Sequence, residues 1–334
     1  MFYKVITLLV LLAVSAMAHD REHYEKKFFD WMTEHQQNYE DGAEFLRRLE
    51  IFIGWDKLIE EHNASGSTWK MAHNQFSGMS HAEFIERYLS PVPRSMLKRG
   101  TAVYSASEEE VKATPSAWDW TAQGGVTNVK DQGSCGSCWT FSTTGALESA
   151  YFNKYGNLVS FSEQELVSCA GFPNMGCNGG QMDAAFNWIK RNGGLCSEGD
   201  YPYTSGNGDR GTCNSSSCSS VTGSTVTSYT DVQSDSESSL QSAVYQQTVS
   251  VAIEADQLGF QLYSSGVFTG ECGTNLDHGV LAVGYGTDNG VDYWKVKNSW
   301  SSSWGEDGYI RMEKGKNQQG GQCGILLMAS YPSL

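Results

Sequence analysis

An odd number of cysteines limits this chain more than any other feature. The nine stand at 135, 138, 169, 177, 196, 213, 218, 272 and 323. If they pair within the chain, one is left over. Eight partners alone allow 105 connectivities, so spacing cannot fix the pairing. The stretch from Gln132 to Phe141 (QGSCGSCWTF) suggests which one stays free. A turn rich in glycine and serine delivers Cys138 to the start of a helix. Past the turn Phe141, Leu147 and Tyr151, with Ala146 and Ala150 between them, recur at helical spacing and predict one buried face. A cysteine at a helix N-terminus meets the positive end of the macrodipole, which favours thiolate, the nucleophilic form. Such a nucleophile needs a base, an orienter for the base and a donor for the oxyanion.

The base is found by counting. Six of the seven histidines (19, 23, 35, 62, 73 and 81) precede residue 90, and only His278 follows Cys138. It lies 140 residues downstream, with Asn298 a further 20 on. A cysteine near the start of an enzyme with His and Asn far downstream is one arrangement of a nucleophilic thiol site. Each residue also has a plainer reading. Cys138 would usually be a disulfide half, His278 a satisfied core residue beside an apolar strand, and Asn298 a turn residue. Cys135 and Cys138 also form a Cys-x-x-Cys, as in a thioredoxin-like redox site. A zinc site is hard to assemble with one histidine after residue 90.

Cys135-Gly-Ser-Cys138-Trp139, Leu276-Asp277-His278-Gly279 and Asn298-Ser299-Trp300 together resemble the active-site motifs of papain-like cysteine proteases, in the same order. The likeness runs from about Pro115 to Leu334, and the cathepsin L-like branch is most similar. It implies an α+β, papain-like fold of two lobes, one helical and one β-rich and barrel-like, behind an N-terminal helical inhibitory prodomain. It also implies a cysteine endopeptidase that hydrolyses peptide bonds through a Cys–His thiolate–imidazolium pair and a thioester acyl-enzyme. Cys138 would attack, His278 would act as base and then acid, and Asn298 would orient His278. The Gln132 amide and the Cys138 backbone N–H would form the oxyanion hole. Trp300 resembles the indole that shields the Asn–His bond and lines the leaving-group side.

By the same resemblance, Gly136, Gly179, Gly180, Asp277 and Gly279 meet substrate along the cleft. Met182, Ala252, Leu276, Gly279 and Met328 match the main specificity pocket. No charge is expected at the Met328 position, so apolar or aromatic residues second from the cut are expected, not Arg. The family supplies the bridges Cys135–Cys177, Cys169–Cys213 and Cys272–Cys323. Cys196 and Cys218 remain for a fourth, with Cys213 and Cys218 exchanged as the alternative. An occluding loop with histidines, as in cathepsin B, would need histidines this half lacks. No metal or organic cofactor is required. Partners implied are protein and peptide substrates, the chain's own propeptide and cystatin-type inhibitors, with the enzyme a monomer.

Residues 1–18 read as a secretory signal, with Lys4, an apolar run from Val5 to Ala16 and the small residues Ala16 and Ala18. The run is shorter than the roughly 20 residues a spanning helix needs. Export places the chain in the secretory pathway, bound for a lysosome or vacuole or the exterior, where disulfides persist. Residues 19–113 form the pro-region. Glu44, Arg48, Phe52, Trp55, Ile59 and Asn63 fall along one helix face. They resemble the interrupted Glu-Arg-Phe-Asn-Ile-Asn motif of cathepsin L-like pro-regions, with Trp55 in place of Asn. Asn74-Gln75-Phe76-Ser77-Gly78 resembles the second pro-region motif, with Gly78 in place of Asp, which takes a carboxylate away from any pH trigger built on it. Glu108-Glu109-Glu110 reads as a solvated linker.

The peptidase domain is expected over 114–334, with a helical lobe to about 224 and a β lobe from about 225. Ser162-Glu163-Gln164-Glu165 has capping-box form. Met182, Ala185, Phe186 and Ile189 mark a further helix ended by Gly193-Gly194. Strands are expected at Val249–Ile253, Val280–Tyr285, Tyr293–Lys297 and Tyr309–Met312. The formal charge is −15, and −11 after residue 113, so nucleic acid is excluded as a partner. No stretch predicts a membrane span. Sequons stand at Asn63 and Asn214, the latter in a serine-rich loop and the better glycan acceptor.

Overall fold

The computed structural model describes residues 21–90, 102–316 and 318–334. The leader at 1–18 and the first part of the 91–113 stretch lie outside them. Among the described residues no helix is long and apolar enough to cross a membrane.

The pro-region opens with α1 (residues 21–34) and α2 (Gly42–Ala64), which cross through Phe28, Trp31, Leu49 and Phe52. Each residue of the α2 stripe has a structural task. Arg48 is the hub: it is buried, and its guanidinium donates to Glu44, to Glu83 and to the Gly78 carbonyl. Trp55 donates its indole N–H to the Met79 carbonyl at 2.8 Å, and the Asn63 amide makes two bonds to the Met71 backbone. Gly78 leaves no room for the aspartate of related pro-regions. A Cβ there would lie 2.5 Å from the Tyr39 hydroxyl and 2.6 Å from the Trp31 ring. After β1 (Trp69–Met71) comes α3 (His81–Tyr88), started by a full capping box between Ser80 and Glu83. The expected acidic linker is instead a short helix, α4 (Glu108–Ala113), capped by Ser107 with Glu110 reaching back. It buries no residue, so its local caps rather than packing account for it.

The helical lobe holds α5 (Cys138–Tyr155), α6 (Glu163–Cys169) and α7 (Met182–Asn192). The buried residues of α7 are Met182, Ala185, Phe186 and Ile189, and Gly193 ends it in the left-handed conformation at φ 84°. The expected single buried face of α5 is too narrow. Thr140, Thr143, Gly145, Glu148 and Ser149 are buried as well, whereas Phe141 is only half-buried. The helix is enclosed because it runs between the lobes, and its Ser142 hydroxyl donates to the Val280 carbonyl. Ser162 caps α6 through the Glu165 N–H at 3.0 Å. Glu165 does not complete the box, because its carboxylate accepts from the Cys196 N–H and from Asn192 instead.

The second lobe carries β4 (Ser228–Val232), α8 (Glu237–Gln246), β5 (Val249–Ile253), α9 (Leu258–Gln261), β6 (Tyr263–Phe268), β7 (His278–Asp288), β8 (Val291–Lys297), β9 (Tyr309–Glu313) and β10 (Ala329–Ser333). With β1, β2 (Ala102–Tyr104) and β3 (Trp118–Asp119) these make one ten-stranded sheet. Its order is β1-β6-β9-β8-β7-β5-β10-β4-β2, with β3 against β7. Both edge strands come from before residue 114, where the peptidase domain is expected to begin. β1 pairs antiparallel with β6, and β2 runs parallel to β4. The segment before residue 114 therefore covers both open edges of the sheet. It also shares the β-lobe core, where Trp69, Met71, Phe76, Phe84 and Tyr88 are buried with Phe260, Trp300 and Trp304.

Candidate active site

The nucleophile turn is held at both ends. Gly133 sits at φ 58°, and a Cβ there would collide with the Gly206 backbone, so glycine is required. The Cys135–Cys177 disulfide and the Gly136 N–H, bonded to the Cys177 carbonyl at 2.9 Å, tie the turn to the 177–180 loop. Cys138 opens α5, and among the described residues it is the free cysteine. Its sulfur accepts from the Gly279 N–H at 3.3 Å, which brings the residue after His278 against it. Burial pushes the thiol up to about 11. The Gly279, Trp139 and Cys138 N–H groups pull it down, and the Asp277 carboxyl adds to the rise.

His278 starts β7, opposite Ile253 on β5. Its Nε2 lies 2.7 Å from Asn298 Oδ1. An amide oxygen only accepts, so Nε2 carries the proton and Nδ1 is the nitrogen left for a thiol proton. Trp300, fully buried, stacks on the imidazole at 4.6 Å. Burial drives His278 down to about 4, against the Asn298 bond. Burial therefore works against charge on both partners of the expected thiolate–imidazolium pair in this covered site.

Gln132 is completely buried. The Ser299 hydroxyl donates to its Oε1 at 2.7 Å, and this aims Nε2 at the Tyr88 and Cys135 carbonyls, 3.0 and 2.9 Å away. Ser299 also donates its backbone N–H to Asn298 Oδ1 at 2.8 Å. It thus joins Gln132 to Asn298. Sequence reasoning passed over Ser299, although it stands inside the Asn-Ser-Trp motif. The Tyr88 carbonyl, from the last residue of α3, sits on the Gln132 side-chain amide. Two residues on, the Ser90 N–H donates to the Asp277 carbonyl at 2.9 Å, and a Cβ on Gly136 would strike the Ser90 hydroxyl. Upstream, Phe76 and Phe84 meet the Trp300 indole edge-on at 5.5 and 5.2 Å, and Gln75 Nε2 donates to the Trp300 carbonyl at 2.5 Å.

Residues 114–333 match the papain family cysteine protease profile, and residues 28–84 match the cathepsin propeptide inhibitor domain (I29). The chain belongs to the papain family of cysteine proteases. It is a cysteine-type endopeptidase carrying an inhibitory propeptide. Among its relatives are a probable cysteine protease, RD21B, of Arabidopsis thaliana and the cysteine proteinase COT44 of Brassica napus. The first is 43% identical over 99% of this chain and 76% of its own length. The second is 44% identical over 91% of this chain and 95% of its own. A recombinant stem bromelain precursor superposes with a TM-score of 0.86 at 39% identity, covering 93% of this chain and 99% of the other. Digestive procathepsin L 3 of Tenebrio molitor larval midgut does so at 0.80 and 40%, over 93% and 99%.

Within the protease, Met182, Ala252 and Leu276 are buried in one cluster, with Met328 packed against it. Met182 and Met328 also line a cavity of about 550 Å³ that Val103 of β2 borders. The same cavity reaches the carboxyls of Asp183 and Asp231, which sequence reasoning missed. Burial pushes Asp183 up to about 7, against a hydrogen bond from Ser330. Gly180 lies against Trp139, where a Cβ would come within 2.6 Å of the indole, and Gly179 adopts φ 99°. Asp277, pushed up to about 7 by burial, accepts from the Ala255 N–H.

The disulfides join Cys135–Cys177, Cys169–Cys213, Cys196–Cys218 and Cys272–Cys323. Among the described residues, one group of potential metal ligands occurs, Glu165 with Cys196 and Cys218, and both its sulfurs are in a disulfide. Asn214 is exposed, whereas the Asn63 amide is taken up by Met71.

Proposed function

We propose that the protease acts through Cys138, His278, Asn298 and Gln132. The reading is carried by the Asn298–His278 bond on one side of the cleft and the contact of the Gly279 N–H with Cys138 Sγ on the other. The Cys138 proton passes to His278 Nδ1, and the sulfur attacks the peptide carbonyl carbon. The oxyanion settles between Gln132 Nε2 and the Cys138 N–H. As the C–N bond breaks, His278 returns the proton to the leaving amine. Water then gives a proton to His278 and its oxygen to the thioester, and the thiol is restored.

In the proenzyme, residues 76–90 pass from Trp300 to Asp277, from the leaving-group side toward the acyl side. This is against the order of a substrate, which suits an inhibitor that resists its own cleavage. The leader ends at 18, the propeptide spans 19–113 and the peptidase 114–334. Maturation near Thr114 releases a monomer that acts in a lysosome, a vacuole or outside the cell and is open to cystatin-type inhibitors. The pocket of Met182, Ala252, Leu276, Gly279 and Met328 prefers apolar or aromatic side chains second from the cut.

Labelling by an epoxide or vinyl-sulfone reagent after acid activation should vanish in Cys138→Ser. Gln132→Ala should lower kcat by about 10²–10³ with the fold intact. Labelling elsewhere, or near-normal turnover without Gln132, refutes the assignment. Fluorogenic dipeptides favouring Arg at the second position would refute the specificity alone.

A further inference from the structure

Ser137 stands at the N-cap position of α5, directly before Cys138, yet its side chain caps nothing. Serine is favoured there because its hydroxyl accepts from the second or third amide of the helix. In this molecule Ser80, Ser107, Ser162 and Ser236 all do so. The Ser137 hydroxyl instead lies 2.8 Å from that of Tyr203, which donates to the Gln132 carbonyl at 2.7 Å. A phenol carries one hydrogen, so with that hydrogen on Gln132 it can only accept from Ser137. The direction is thereby fixed, from Ser137 through Tyr203 to Gln132. Tyr203 is itself seated, edge-on to Phe141 at 5.1 Å with its N–H on Glu198 Oε1 at 2.9 Å.

We propose that Tyr203 is a positioning residue for the oxyanion site, holding the Gln132 and Cys138 ends of the turn in register through its bonds to Gln132 and Ser137. The inference rests on the reading that Gln132 and the Cys138 N–H receive the oxyanion. Those two donors are six residues apart along a turn of glycines and serines, so their convergence has to be imposed. Tyr203 bonds the backbone of the first and the neighbour of the second. Ser137 lies at ψ 12°, not in the extended conformation of the capping serines, and its carbonyl accepts the Thr140 N–H at 2.8 Å. The Trp139 N–H is one of the groups turned to the Cys138 sulfur. The Ser137 hydroxyl is therefore left for Tyr203.

The test compares Tyr203→Phe, Gln132→Ala and the double variant, each made as full-length proenzyme and acid-activated. Tyr203→Phe should lower kcat by about tenfold, a fraction of the loss on removing a donor outright. KM should stay within twofold. A peptide aldehyde, whose hemithioacetal oxygen enters the same donors, should bind about tenfold more weakly. In the Gln132→Ala background the Tyr203→Phe loss should shrink to less than threefold, because coupled residues are not additive. Additive losses, or an unchanged kcat and aldehyde affinity in Tyr203→Phe, overturn the proposal while leaving the Gln132 assignment standing. An unchanged kcat in Gln132→Ala refutes that assignment, and the proposal falls with it. If Tyr203→Phe yields no soluble proenzyme, its role is structural and the proposal falls. Ser137→Ala keeps the Tyr203–Gln132 bond and should cost less than Tyr203→Phe. An equal or greater loss assigns the effect to packing of the turn.

Discussion

Acid should loosen the propeptide first at His73. Its Nδ1 is 2.9 Å from the Ser77 hydroxyl, its Nε2 is 2.9 Å from Asp56 Oδ1, and its ring stacks on Phe52 at 4.0 Å. Ser77 Oγ also accepts the Asn74 N–H. Asp56 only accepts, so in the neutral ring the proton sits on Nε2 and Nδ1 accepts from Ser77. A second proton at Nδ1 would make the Ser77 hydroxyl turn its hydrogen away and would place a cation in a buried turn. Burial holds the imidazole below its ordinary range, overcoming Asp56, and the neighbouring Lys27 and His35 act in the same direction. Burial also opposes charge on Asp56, but hydrogen bonds from Lys27 and His73 prevail and hold that carboxyl low. Glu60, bonded to Lys27, is the remaining charged neighbour.

The sign follows from linkage. An unfolded pro-region takes up the His73 proton near pH 6.5, and the folded one does so lower. The stabilisation is complete above that pH and is lost as acidity rises, at no more than about 1.4 kcal/mol per unit, or tenfold in the open population. The turn at risk carries Asn74 on the Gln261 carbonyl, Gln75 on the Trp300 carbonyl and Phe76 on the Trp300 ring, so opening it uncovers the site. The perturbation is His73→Gln, which removes the titrating group. Both proenzymes carry Cys138→Ser and are cut in trans by a trace of active enzyme between pH 7 and 5. The ratio of rates cancels the pH dependence of the cutting enzyme. The proenzyme that keeps His73 should gain on the His73→Gln variant by up to about tenfold per unit below pH 6.5. A ratio that is flat with pH refutes the reasoning.

Restoring the aspartate of related pro-regions should harm this one. Gly78→Asp forces a side chain onto Tyr39 and Trp31 and should cost the propeptide about 1–3 kcal/mol, seen as raised activity of the proenzyme at pH 7. Glu148→Gln removes the buried carboxylate that accepts from Thr127, Lys130 and the Phe161 N–H. Lys130 keeps Glu163 at 2.6 Å, so the loss should be that of a charged hydrogen-bond partner, about 1.5–3 kcal/mol in denaturant unfolding of the proenzyme.

The two lobes, the order of helices and strands and the four residues of the proposed site were legible because each rests on a local pattern. The α7 stripe is one example, and counting isolates His278. What was hidden is non-local. Nothing in the spacing of α5 says that a second lobe covers its polar side. Spacing places Arg48 on the α2 stripe, but nothing local shows that its partners, Glu83 and the Gly78 carbonyl, arrive from 30 or more residues away. Ser299, Asp183 and Tyr203 look like ordinary loop or helix residues because the partners that give them meaning come from another lobe or a distant turn. The α4 helix is a different kind of miss. Ser107 and Glu110 spell a capping box, and the three consecutive glutamates drew the reading toward a linker.

The protonation state was hidden for the same reason. A thiol at a helix N-terminus beside an imidazole reads as an ion pair only while water reaches it. In the proenzyme Tyr88 and Ser90 lie over Gln132 and Gly136, and burial disfavours charge on Cys138 and His278, so the propeptide should oppose the nucleophile twice, by occupying the proposed donors and by disfavouring the ion pair. The two effects separate in the pH dependence of alkylation by a small reagent such as iodoacetamide. With the thiol pushed up to about 11, thiolate should be scarce in the proenzyme at pH 7. Proenzyme labelling at Cys138 should therefore climb about tenfold per pH unit through pH 9. The activated enzyme, its pair rehydrated, should show a plateau across neutral pH. Steric occlusion alone would lower the proenzyme curve without changing its shape. A proenzyme plateau at neutral pH would mean that the ion pair survives under the propeptide, and the electrostatic half of the latency would be lost.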